Sequence, residues 1–220
     1  MINIFDVDNT LYNGSTVRKF LLPAFCRKII PLRIILSLPY YFFFFRFRKA
    51  GSSITEKKIK GLKGISENAM SELAEELFAT RIKKNLNPLL LEEIRKAKER
   101  HEPVILATSS FRTIIEPLAD FLGVDDIIAS EIEFSDGIGT GRLKSLPPYK
   151  EGKKERVTAY LSSLGQKEEN IVFYSDHHDD LPLLSVAGKP VLVNPTRKMR
   201  RIAEKHKWDL LEDTIKKKGI

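Results

Sequence analysis

The sequence predicts an α/β protein: a parallel sheet with helices on both faces and a helical lobe inserted after the first strand. Three observations predict it. Short apolar runs of strand length recur at 2–6, 104–107, 126–128, 171–174 and 190–193. Helical patterns lie between the later runs, at 113–121, 153–163, 181–187 and 196–206. The stretch from 15 to about 95 is mostly helical and separates the first strand from the second. Strands that alternate with helices pair in parallel and are buried on both faces.

Each element has its own signal. Ile2-Asn3-Ile4-Phe5 is an apolar run that ends in acids. In the insert, helical spacing covers Val17 to Cys26, Glu67 to Phe78 and Leu90 to Lys98, with Ser66 and Asn87 as candidate N-caps. Gly51-Ser52-Ser53 breaks the insert. Val104-Ile105-Leu106-Ala107 restarts the strands, and Gly137, Gly139 and Gly141 mark 131–144 as a hairpin excursion. The division expected is a core of 1–14 and 96–220 with a second lobe of 15–95. A chain of 220 residues is long enough to bury a substantial core.

Charge is uneven. Between Ser15 and Gly64 there are twelve lysines or arginines and one acid, Glu56, so this stretch carries +11 of a chain total of +8. The excess points to an anionic partner. The same stretch holds Ile34 to Phe45, an uncharged run of twelve residues. That is short of the ~20 residues needed to span a bilayer. Apolar and aromatic residues flanked by Arg46, Arg48 and Lys49 suit a membrane interface, so a peripheral contact through 29–49 is expected, with a buried helix or a dimer contact as the alternatives. Nucleic acid is not expected, because the basic residues are interleaved with aliphatic runs rather than with isolated stacking aromatics. Cys26 is the one cysteine, and the N-terminus reads as a strand rather than a signal peptide. A cytoplasmic protein, working at the inner face of the membrane, is the expectation.

The chemistry is written in four segments. In Phe5-Asp6-Val7-Asp8-Asn9-Thr10-Leu11, Asp6 and Asp8 are two apart and point to one side where a buried strand ends. Two such charges repel unless a cation joins them, and a hard cation such as Mg2+ takes oxygen ligands. Thr10 adds a hydroxyl. In Leu106-Ala107-Thr108-Ser109-Ser110, the Thr108 hydroxyl and the Ser109 amide can hold phosphate oxygens, with Ser110 expected to start or cap the next helix. Lys153 or Lys154, before a helix, can offset the charge of a carboxylate cluster. In Ser175-Asp176-His177-His178-Asp179-Asp180, Asp176 can add a metal oxygen, and Asp180 can orient the shell, pair with the lysine or cap a helix. His177 and His178 are adjacent and so are poor partners for one ion; oxygen donors dominate, which favours Mg2+ over zinc.

Together these segments resemble the haloacid dehalogenase superfamily of phosphohydrolases. FDVDNTL, LATSS, GKKER and YSDHHDDLPLL stand in the order of its four motifs. Gly188 to Pro195, followed by Trp208, is similar to its phosphoserine-phosphatase-like branch, in which a helical cap follows the first motif. The resemblance implies a Rossmann-like core with an inserted helical cap. It implies Asp6 as nucleophile, Asp8 as general acid and base, and Mg2+ held by Asp6, the Asp8 main-chain carbonyl and Asp176. It implies Thr108 and Ser109 on the phosphoryl oxygens, and Lys153 (Lys154 as its rival) as the neutralising cation. Asn9 and Ser175 replace glycines frequent at those positions. No Asp or Glu occurs from Asn9 through Thr55, whereas phosphoserine-specific members carry an acid there for the substrate ammonium. A cationic, apolar cap is similar to that of bacterial phosphatidylglycerophosphate phosphatases. The expected function is a Mg2+-dependent phosphomonoester hydrolase for an anionic substrate, with a lipid phosphate leading. The alternatives are a small-metabolite phosphatase, a phosphotransferase, or a non-catalytic module at a membrane surface.

Overall fold

The computed structural model describes residues 1–32, 34–36 and 59–212. Arg33, the part of the uncharged run from Ser37 through Phe45, the Gly51-Ser52-Ser53 break and the basic residues Arg46, Arg48, Lys49, Lys57 and Lys58 lie outside the described residues. The strands are β1 (Ile2–Phe5), β2 (Val104–Phe111), β3 (Asp126–Ser130), β4 (Ile132–Ser135), β5 (Ile138–Leu143), β6 (Ile171–Ser175), β7 (Lys189–Val193) and β8 (Asp209–Leu211). The helices include α1 (Thr16–Cys26), α2 (Glu67–Leu77), α3 (Pro88–Glu99), α4 (Arg112–Leu122), α5 (Glu151–Ser163), α6 (Leu181–Leu184) and α7 (Arg197–His206).

Six strands form one parallel sheet in the order β3-β2-β1-β6-β7-β8. The α/β class and the parallel sheet are as the sequence predicts. β1 is fully buried, which is why it reads as a continuous apolar run rather than an alternating one. Ile4 and Phe5 face opposite ways, each into its own cluster. On one face Phe5 stacks on Tyr174 at 4.4 Å between ring centres, and Leu90, Ile94 and Ala97 of α3 cover them. On the other face Ile4 meets Val157 and Leu161 of α5 and Met199 and Ala203 of α7. So α3, which the sequence division assigns to the insert, packs on the sheet. A third cluster joins α1 and α2 to the hairpin, with Phe20, Leu73, Leu77, Ile132 and Leu143 at its centre.

Register puts the site together. Phe5 pairs with Leu106 on one side and Tyr174 on the other. The chain order reverses between β1 and β6, and such a switch point opens a crevice at the carboxyl ends of the strands. Asp6, Thr108 and Asp176 follow the paired residues into that crevice.

Local details correct the expected boundaries. Ser66 and Asn87 do cap α2 and α3, accepting from the amides of Ala69 and Leu89. Ser110 does not start a helix. It lies buried inside β2, which runs on to Phe111, and α4 begins at Arg112 with no side-chain cap. Its hydroxyl is engaged elsewhere, as described below. Past Leu77 the helix continues as a π-turn over Phe78–Ile82. The sequence patterns predict no strand at β8, which is three residues long and opens on Asp209.

Gly188 precedes β7 with its amide on the Glu168 carbonyl at 2.9 Å. A Cβ there would sit 1.9 Å from the Glu169 carbonyl oxygen. Gly188→Ala is expected to cost about 2–3 kcal/mol through backbone displacement. Thermal unfolding of the variant measures it.

Candidate active site

Asp6 continues β1 by donating its amide to the Tyr174 carbonyl at 3.0 Å. The chain then turns. Asn9 takes φ 62, a left-handed conformation that asparagine tolerates, and the amides of Thr10 and Tyr12 both bond the Val7 carbonyl. This turn folds Thr10 back over Asp6.

Thr10 Oγ1 lies 2.9 Å from Asp6 Oδ2 and 2.8 Å from Asp176 Oδ1, and accepts the Asp176 amide at 3.1 Å. A hydroxyl has one proton, so it satisfies only one of those two carboxylate oxygens at a time. On the other side, Lys153 Nζ is 2.8 Å from Asp6 Oδ1 and 2.7 Å from Asp180 Oδ1. Ser175 Oγ donates to Asp180 Oδ2 at 2.7 Å, so the residue that replaces a glycine anchors an acid. Lys153, Val157 and Leu161 form the buried stripe of α5. Lys154 falls off that stripe, is half-exposed, and acts on Glu168. The geometry thus brings Lys153, and not Lys154, to Asp6.

Electrostatics match the crowding. Burial raises the Asp6 carboxyl, Lys153 opposes this, and Asp180 and Asp176 add to it, with a net value of about 7. Burial also raises Asp176, against the Thr10 hydrogen bond. Burial alone would depress Lys153, but Asp180 and Asp6 carry it above the ordinary lysine value. Three clustered carboxylates share one ammonium and two hydroxyl protons. That excess of negative oxygen donors is what a divalent hard cation requires. Asp6 and Asp176, joined through Thr10, therefore fit Mg2+.

Asp8 is held from two sides: the Thr16 amide donates to Oδ1 at 2.7 Å and Ser110 Oγ to Oδ2 at 2.9 Å. Thr108 is buried, and its hydroxyl accepts the Ser110 amide at 3.1 Å, leaving its own proton to give. Ser109 is exposed beside it, with its carbonyl tied to Ser130 Oγ at 2.7 Å. His177 and His178 do not approach Asp6; they flank Asp179 at 3.3 and 3.2 Å, and Tyr149 donates to the same carboxylate at 2.7 Å. Sequence reasoning missed Thr16, Tyr149 and the role of Ser110. The spacing of Ser110 from Thr108, two residues along one strand, was the available signal for a shared face.

Beside Asp8, Ser109 and Ser110 opens a cavity of about 480 Å3. Phe20, Leu21, Ile34, Leu62, Ile65 and Met70 line it, together with Tyr149. Its charged lining, among the described residues, is Asp8 and Arg18.

The haloacid dehalogenase-like hydrolase family model matches residues 4–185, a span that contains all four segments of the site. The chain belongs to this family. It is therefore an enzyme rather than a binding module alone. This hydrolase is 29% identical over 150 residues to a histidinol-phosphatase of Neisseria meningitidis, covering 66% of this chain and 68% of that protein. It is 26% identical over 220 residues to phosphoserine phosphatase SerB1 of Mycobacterium tuberculosis, covering 98% of this chain and 71% of that protein. A Bordetella pertussis protein of unknown function shares its fold, with a TM-score of 0.75 and 26% identity over 96% of this chain and 97% of that one.

Proposed function

We propose that this hydrolase is a Mg2+-dependent phosphomonoesterase that works through an aspartyl-phosphate on Asp6. A carboxylate oxygen of Asp6 attacks phosphorus as Asp8 protonates the departing alcohol oxygen. Asp8, now a base, takes a proton from the water that splits the acyl phosphate and releases Asp6. Thr108 Oγ1–H and the Ser109 amide bind phosphoryl oxygens. Lys153 fixes Asp6 and offsets its charge, and Asp180 and Ser175 hold Lys153. Bound by Asp6, the Asp8 carbonyl and Asp176, Mg2+ would neutralise charge on the phosphoryl group. The supporting observation is the convergence of Asp6, Asp176 and Lys153, drawn from three distant segments, on one buried point.

The substrate reading rests on the cavity. Phosphoserine and histidinol phosphate carry an ammonium, and among the described residues the one acid that lines the cavity is Asp8, which the chemistry uses. The apolar lining suits an alcohol with an apolar tail, so a lipid phosphate is the leading substrate class. The inserted lobe, represented by α1 and α2, acts as the cap beside that cavity. Leu22, Leu32 and Leu36 are exposed, with Lys19 and Lys28 also exposed nearby, which supports docking on an anionic membrane at its cytoplasmic face. No helix among the described residues is long and apolar enough to cross a membrane.

The test compares hydrolysis of phosphatidylglycerophosphate in detergent with phosphoserine and histidinol phosphate, with Mg2+ and with EDTA. Expected is a preference of about a hundredfold in kcat/KM for the lipid phosphate, and loss of turnover in EDTA. A clear preference for phosphoserine reverses the substrate assignment. Full turnover in EDTA removes the metal from the mechanism.

A further inference from the structure

We infer that Ser110 is a positioning residue for Asp8, acting through a directed chain of hydrogen bonds that begins at Thr16. The inference rests on the reading of Asp8 as acid and base. Three segments meet here: the turn after β1, the end of β2, and the first residue of α1. Thr16 Oγ1 and Ser110 Oγ are 2.7 Å apart, and Ser110 Oγ is 2.9 Å from Asp8 Oδ2.

The direction of the chain follows from chemistry. Ser110 Oγ donates to Asp8 Oδ2, which uses the single proton of its hydroxyl. The proton in the other bond must then come from Thr16. Thr16 donates to Ser110, and Ser110 donates to Asp8, each bond polarising the next. Both residues are 1% exposed, so bulk water competes little for their hydroxyls. The Thr16 amide occupies the other Asp8 oxygen at 2.7 Å. Two donors on two oxygens fix the plane of the carboxylate as well as its position.

That orientation matters most when the leaving oxygen needs a proton. An alkyl alcohol departs poorly as an alkoxide, so its release depends on a correctly aimed acid. A nitrophenol departs as its anion and needs none. Single-turnover release therefore separates aiming from general damage.

In Ser110→Ala, release of an alkyl alcohol under saturating Mg2+ is expected to slow by about ten- to hundredfold, with KM changed by less than about twofold. Release of p-nitrophenol from its phosphate should slow by less than about threefold. Ser110→Thr, which keeps the hydroxyl, should restore alkyl release to within about threefold of the parent. Thr16→Val keeps the amide bond and loses only the first link, so it should slow alkyl release by about threefold. If Ser110→Ala does not fold, Ser110→Cys, a weaker donor of similar size, carries the same test. Equal slowing for both leaving groups, or none for either, overturns the inference. Asp8→Asn run in parallel separates the two readings. If it still releases alkyl alcohol at the parent rate, the acid assignment fails and the inference falls with it. If it is dead while Ser110→Ala matches the parent, only the role of Ser110 is lost.

Discussion

Asp6→Asn is expected to lose turnover by at least about 10^4-fold and, without divalent ions, to melt at a higher temperature than the parent. The first half follows from losing the nucleophile. The second follows from what the nucleophile costs the fold. Burial, with Asp180 and Asp176 close by, raises the Asp6 carboxyl from 3.8 to about 7. An acid whose value is raised on folding disfavours the folded state once the unfolded chain ionises. The penalty is absent below pH 4, grows as pH rises, and is complete near pH 7. The amide removes it. Its N–H can donate to Thr10 Oγ1, which is then free to give its proton to Asp176. Its oxygen still accepts from Lys153, which keeps Asp180 as partner. A rise of about 3–6 °C at pH 7.5 in EDTA is expected, shrinking to nothing near pH 4. Mg2+ should raise the melting temperature of the parent and barely move that of the variant. Differential scanning calorimetry at both pH values measures this. A variant less stable than the parent at pH 7.5 contradicts the electrostatic account.

Lys153→Met is the opposite case, losing both activity and stability. The Lys153 ammonium lies within 2.8 Å of Asp6 and Asp180, both buried. Removing it leaves two buried carboxylates without their cation, at a cost of about 3–5 kcal/mol. Lys154→Ala, one residue away and half-exposed, should stay within about 0.5 kcal/mol of the parent. Adding Asp6→Asn to Lys153→Met should recover part of the stability and none of the turnover. Urea unfolding and a steady-state assay of the four proteins decide the matter. Comparable losses for Lys153→Met and Lys154→Ala would mean that the pairing carries no weight.

The core strands were legible because they are buried on both faces. Ile2-Asn3-Ile4-Phe5 and Ile171-Val172-Phe173-Tyr174 read as unbroken apolar runs, and acids at their ends stand out. The lysine ambiguity was resolvable too, since only Lys153 is four residues before Val157 and eight before Leu161, the inward positions of α5. Ser110 was misread because a serine after a strand is an ordinary helix cap. Its true partner, Asp8, is distant in sequence, and nothing local encodes that bond. The cavity was equally hidden: its wall combines α1, the segment around Leu62 and the hairpin strand β5, and only their packing defines it. β8 is too short to carry a periodic signal.

β1 is synthesised before the other five strands of its sheet, yet it lies in the interior between β2 and β6. Its neighbours are synthesised roughly a hundred and a hundred and seventy residues later. Throughout that interval the nascent chain carries an unpaired sticky edge on each side, which chaperones or the ribosome surface must shield. A polypeptide truncated before Ile171 keeps one of those edges open for good, and insolubility of such fragments is the natural consequence.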